Sequence, residues 1–171
     1  FIWGRIPPAS LGYKLMAANL SDIAAMGGTP RFAVVSLGVN DRCALADIQA
    51  IYQGMQDLAQ CFQTVIVGGD TVRSAVLTLG IALIGTVPAG KALLRSGARP
   101  DDILLVTGSL GKSAAGLQLV IGEAPVAEKV KDRVLEAHYR PYPRVTEGKS
   151  LAGLGWVHAM IDISDGLASE V

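Results

Sequence analysis

The chain is poor in the side chains that most often carry chemistry. Its 171 residues include two cysteines, two histidines and only 5% aromatics. Cys43 and Cys61 stand 18 positions apart, without the paired spacing of a zinc site. Two cysteines with no disulfide framework suit a reducing, cytoplasmic setting. His138 and His158 have no partner pattern, so the sequence does not mark either as a ligand.

Charge is scarce as well. Charged residues make up 18%, and fifteen acidic side chains cancel fifteen basic ones. The Lys and Arg residues are scattered, with no basic stripe, which argues against a nucleic-acid partner. No apolar run reaches the roughly 18 residues that a membrane helix requires. The longest, residues 75–88, is interrupted by Thr78, Gly80, Gly85 and Thr86. No signal peptide is visible. The chain opens on Phe1 and closes on Val171, and both ends read as cuts through a longer chain. A Walker loop is missing too: "GSLGKS" at 108–113 has the wrong spacing. No G-x-G-x-x-G follows an expected strand, which disfavours a dinucleotide fold.

Apolar residues are abundant, at 50%, enough for a sizeable core in one large domain or two small ones. Leu11, Leu15, Ala18, Ile23 and Met26 recur at helical spacing over 9–27, and Gly27-Gly28 ends that helix. Val-rich residues 31–39 predict a strand, and 44–62 a second helix. Residues 64–71 predict a short strand running into a Gly-Gly-Asp turn, and 75–87 a longer one. Beyond a Pro- and Gly-containing connector at 88–101, strands are expected at 102–108 and 156–162. Helices are expected at 111–121, 125–138 and 143–152, and Ser164 is expected to cap a last one. The pattern predicts an α/β (α+β) fold in two units, 1–92 and 93–171, with a boundary near 90–97.

Against this background four carboxylates stand out. Asp22 lies in "NLSDIAAMGG", Asp70 in "VGGDTVRS", and Asp162 and Asp165 flank Ser164 in "AMIDISDGL". Each adjoins an apolar segment, where a bare charge is costly. Taken singly, each has a structural explanation as a cap, an Asx-turn or a first-turn acid. If they converge, they repel, and a hard divalent cation that takes oxygen ligands resolves the repulsion. Phosphate-binding features accompany them. Gly68-Gly69 permits close backbone approach, Ser164 opens the expected last helix, and Arg95 and Arg99 flank Gly97.

Five motifs in order, "NLSDIAAMGG", "VGGDTVRS", "LRSGARPDDILLVTGSLGKSAAGL", "HYRPYPRV" and "AMIDISDGL", resemble the thiamine-monophosphate kinase family. That family belongs to the aminoimidazole-ribonucleotide synthetase superfamily. The resemblance implies transfer of the γ-phosphoryl group of ATP to thiamine monophosphate, with Mg²⁺ and no covalent phosphoenzyme. It implies Asp22, Asp70, Asp162 and Asp165 as Mg²⁺ ligands, and Tyr52, Gly69, Asp70, Arg95 and Ser164 as nucleotide contacts. It also implies a homodimer formed through the sheet of the first unit, with ATP between the units. Both units are expected to be incomplete: the family's acidic N-terminal segment and the C-terminal part of its thiamine pocket are absent. The alternatives are another ATP-dependent member of the superfamily, a synthetase or a hydrogenase-maturation dehydratase, and a non-catalytic α/β dimerisation module.

Overall fold

In the computed structural model of the chain, which describes residues 1–122 and 127–171, the strand β1 (Thr29–Val39) is central. Ala33, Val35 and Leu37 are buried, while Phe32, Val34 and Ser36 between them are exposed. Side chains alternate across a strand, so one face of the sheet is packed and the other open. β2 (Val65–Arg73) pairs parallel to β1 and β3 (Thr78–Thr86) antiparallel, in the order β2-β1-β3. Parallel neighbours need a crossover, and α2 (Leu45–Cys61) provides it. Residues 74–77 then pass the end of β1, where the Ser74 N–H donates to the Val39 carbonyl at 2.9 Å.

α1 (Pro8–Ala25) and α2 cover the packed face. Pro8 occupies the first position of α1, where a missing N–H loses no intrahelical bond. Asp47 in the first turn of α2 accepts the Ala44 N–H at 3.1 Å, and its charge suits the positive helix end. Two glycines let the helices approach closely. A Cβ on Gly12 would strike the Ile51 carbonyl, and one on Gly54 the Ala9 carbonyl. Glycine weakens a helix by roughly 1 kcal/mol relative to alanine. Here the close approach offsets that loss by sealing Met16, Leu20, Ile51 and Met55 from solvent.

α3 (Lys112–Ile121) and α4 (Glu128–Tyr139) pack as a pair, with Gly116 against Val134 and His138. They join the first unit along one seam. Arg5 donates to the Val120 carbonyl at 2.9 Å, the Tyr139 hydroxyl donates to the Arg5 carbonyl at 2.9 Å, and the Arg140 guanidinium lies 4.5 Å above the Tyr13 ring. α5 (Val145–Gly153) rests on α1, with Gly148 against the Ala24 carbonyl. A 3₁₀ turn (Arg95–Gly97) and α6 (Leu167–Glu170) are the remaining elements. Among the described residues no helix is long and apolar enough to cross a membrane.

The mixed α/β class and the α-β-α-β-β order of the first unit are as the sequence predicts. Four details differ. β2 runs straight through Gly68-Gly69-Asp70, so Asp70 sits in a strand rather than a turn. Residues 102–108 and 156–162 form no strand, because neither has a backbone ladder with another segment; Ile103 stays 86% exposed. The helix expected over 125–138 spans Glu128–Tyr139, and the expected positions 125 and 126 lie outside the described residues. Ser164 does not cap the last helix, which starts at Leu167 behind Gly166.

Candidate active site

A series of contacts brings the segment that leads to Asp162 toward the end of α1, which carries Asp22. Just past α1, the Met26 carbonyl accepts the Leu93 N–H at 3.3 Å, which draws the Arg95–Gly97 turn to the helix end. Gly97 lies against the His158 carbonyl, with no room for a Cβ. The His158 Nδ1–H donates to Asp102 at 2.8 Å. Asp102 also accepts the Arg99 N–H at 2.9 Å, and these bonds, Arg99's first, hold its carboxyl below the usual range. Residues 158–162 therefore run beside 95–102 and end near the last turns of α1. There the Asp22 carboxyl is pushed up, first by partial desolvation and then by the negative charge of Asp162.

The turn that follows is organised around a residue the sequence reading passed over. One oxygen of Glu170, Oε1, accepts the Ser164 N–H at 3.3 Å, the Ser164 hydroxyl at 3.1 Å and the Asp165 N–H at 3.2 Å. These bonds lower the Glu170 carboxyl, the Asp165 N–H most, and the positive charge of Arg95 adds to them. Ser164 is thus bonded to this carboxylate, and Arg95 lies within electrostatic reach of it. The available signal was Gly166, which lets the chain fold back so that a residue six positions after Ser164 reaches it.

Other expected residues lie apart from this cluster. Asp70 pairs with Ser36 on the open face of the sheet. Ser36 is seven residues along β1 from Thr29, roughly 23 Å at about 3.3 Å per residue. Gly69 has a structural reason of its own, since a Cβ there would strike the Val35 carbonyl, whereas Gly68 faces open space. Tyr52 is half-buried and packs against the hydrophobic core from α2. A cavity of about 270 Å³ between Phe1, Trp3, Arg42 and Leu77 lies beside Asn40, at the far end of β1, and includes none of the expected site residues.

Among the described residues, no three His, Cys, Asp or Glu side chains stand together as a metal cage. The single chain brings Asp22 and Asp162 within electrostatic reach of each other, places Asp165 three residues on, and leaves Asp70 on the sheet. None of the four carboxylates is in an ion pair among the described residues. Two carboxylates within electrostatic reach of each other, with no cationic side chain paired to either among the described residues, are hard oxygen donors of the kind a divalent cation takes.

Residues 1–87 match the family of AIR synthase related protein, N-terminal domain. The chain belongs to that family. It is 46% identical over 167 residues to the thiamine-monophosphate kinase of Bacillus subtilis, covering 96% of this chain and 51% of the relative. It is 42% identical over 168 residues to the Escherichia coli enzyme of the same name, covering 97% and 50%. Among solved structures it is similar to AaThiL complexed with AMPPCP and TMP, with a TM-score of 0.87 and 30% identity, covering 96% of this chain and 52% of that one. The chain spans about half the length of the curated relatives it matches.

Proposed function

We propose that this chain carries the nucleotide- and Mg²⁺-binding half of a thiamine-monophosphate kinase, which transfers the γ-phosphoryl group of ATP to thiamine monophosphate and yields thiamine diphosphate and ADP. The observation that carries the reading is the Asp22–Asp162 pair, two carboxylates from opposite ends of the sequence that lie within electrostatic reach of each other and are in no ion pair among the described residues. The similarity to kinases over nearly the whole chain supports the same reading.

In this proposal Asp22, Asp162 and Asp165 would hold Mg²⁺, and Asp70, which lies apart from them on the open sheet face of the single chain, would join as a ligand from a second copy. Bound there, Mg²⁺ supplies Lewis-acid neutralisation of the phosphate oxygens. Ser164 and Arg95 would orient the triphosphate by hydrogen bonds and charge, while Gly69 and Tyr52, the other nucleotide contacts that the resemblance implies, lie apart from them in the single chain. The attacking group is a phosphate oxygen of thiamine monophosphate. A phosphomonoester loses its second proton near pH 6, so that oxygen is already anionic at neutral pH and needs no general base. The new P–O bond forms as the β–γ bridge P–O bond breaks, and the electron pair leaves on ADP. The chain therefore works by positioning and by balancing charge, with no side chain required as nucleophile or base.

A homodimer is part of the same proposal. The open sheet face exposes Phe32, Val34, Val65, Val67 and Ile84, an apolar surface of the kind an interface covers. Asp70 lies within it, opposite Ser36. Covered by a second copy, that carboxylate would lose water and require a compensating cation. We place the boundary between the units at residues 92 and 93, and the protein in the cytoplasm.

The test is Mg²⁺-dependent ADP release by the whole protein in the presence of thiamine monophosphate. Asp22→Asn is expected to lower kcat/KM on the order of 10²-fold or more. An intact protein with no turnover dependent on thiamine monophosphate would reject the activity, and an unimpaired Asp22→Asn variant would reject the metal role.

A further inference from the structure

We infer that Glu170 is a built-in anion that occupies the phosphate-contacting turn while nucleotide is absent and is displaced when nucleotide binds. The inference rests on the kinase reading above, in which Ser164 and Arg95 contact the nucleotide.

The geometry argues for a placeholder rather than a permanent strut. Three donors, the Ser164 N–H, the Ser164 hydroxyl and the Asp165 N–H, converge on the single oxygen Oε1 of Glu170. A carboxylate oxygen has about two lone pairs, so three donors crowd it. Their distances, 3.1 to 3.3 Å, are longer than the roughly 2.7–2.9 Å of well-formed charge-assisted bonds. A phosphate group offers three acceptor oxygens, which gives each donor its own partner at better length. Arg95 lies within electrostatic reach of the same carboxylate and forms no ion pair among the described residues. Its fork suits a phosphate better than a carboxylate already shared among three donors. Ser164 has one hydroxyl proton, so a nucleotide oxygen that takes it, or that takes the Ser164 or Asp165 N–H, competes with Glu170 for the same donor. Displacement is open to it: the Glu170 carboxylate makes hydrogen bonds with Ser164 and Asp165 alone among the described residues, and forms no ion pair among them.

The consequence is a self-competition with a definite sign. Removing the internal anion frees the donors and strengthens nucleotide binding, whereas a strut's removal weakens it. The apparent dissociation constant is the intrinsic one divided by the competent fraction. A turn occupied by Glu170 for most of the time therefore predicts about 3- to 10-fold tighter binding once the carboxylate is gone.

The experiment uses the whole protein with Mg²⁺ and a non-hydrolysable ATP analogue. Calorimetry compares wild type, Glu170→Gln and Glu170→Ala, and steady-state kinetics follow KM for ATP and kcat. The expected result is a lower Kd and a lower KM for both variants, with kcat within about two-fold of wild type. Glu170→Gln keeps the shape of the side chain, so it carries the test if Glu170→Ala folds poorly. Unchanged or weaker nucleotide binding in a variant with wild-type thermal unfolding overturns the inference. A wild-type protein that binds nucleotide without phosphorylating thiamine monophosphate overturns the substrate assignment but leaves the sign of the Glu170 effect to decide this inference. A wild-type protein that binds no nucleotide overturns both.

Discussion

Residues 32–39, "FAVVSLGV", and residues 102–106, "DILLV", are similarly apolar, yet only the first is a strand. β1 has a neighbour on each side and two helices beneath it. The second segment has no ladder, and Ile103 and Leu105 face solvent. A strand is a relation between segments, since its backbone groups need partners and its side chains need a surface to pack on. The core follows the same division. Among the described residues, apart from Val134 and Val145, every buried hydrophobic residue lies between Ile6 and Ala59.

That contrast can be broken by mutation. The largest effect is expected at the centre of the first unit: Leu20→Ala should cost about 2–5 kcal/mol. Ile103→Ala, at an exposed site, should stay within about 0.5 kcal/mol. Urea unfolding of the two variants checks both, and equal losses would mean that the second segment is packed after all. A smaller contrast concerns glycines. Gly54→Val pushes side-chain atoms into the Ala9 carbonyl and should cost about 1–3 kcal/mol. Gly153→Ala, near the end of α5 with nothing within 4 Å, should gain about 0.4–1 kcal/mol. Thermal unfolding resolves the opposite signs.

The seam between the units gives the smallest effect. His138 Nδ1 accepts hydrogen bonds from Lys14 Nζ at 3.4 Å and Ser113 Oγ at 3.1 Å. Burial first, and the Lys14 charge second, lower the His138 pKa from its ordinary 6.5. A folded value below the unfolded one means that the unfolded chain binds the proton more readily. The stabilisation is therefore complete above the unfolded value and is lost as pH falls through the lower folded value. With the ring partly exposed, the loss between about pH 7.5 and 5.5 should stay under about 1 kcal/mol. A His138→Gln variant should lack that component of the slope, and an identical slope in the variant would remove His138 from the account.

The sequence made the first unit legible because its helices and strands pack on one core, and burial on one side leaves a period of 3.6 or 2. It also marked Asp22 and Asp162, since acids beside apolar runs stand out in so uncharged a chain. Other features depend on partners that periodicity does not reveal. Gly12 and Gly54 lower helix propensity, and only the opposing carbonyls of Ile51 and Ala9 explain their place in α1 and α2. Gly69 read as a ligand approach, and the carbonyl of Val35 gives it a structural cause. Glu170 was missed because its role depends on a fold-back at Gly166, and an acid near a helix start is ordinarily unremarked.

The central claim is that Asp22 and Asp162 serve one magnesium ion at a nucleotide site. A double-mutant cycle on Mg²⁺-dependent binding of an ATP analogue by the whole protein tests it most directly. Asp22→Asn and Asp162→Asn should each weaken binding about 10-fold or more, and the double variant should be little worse than either one, because the shared ion is already lost. Losses that simply multiply in the double variant, or single variants that bind as wild type does, would contradict the claim.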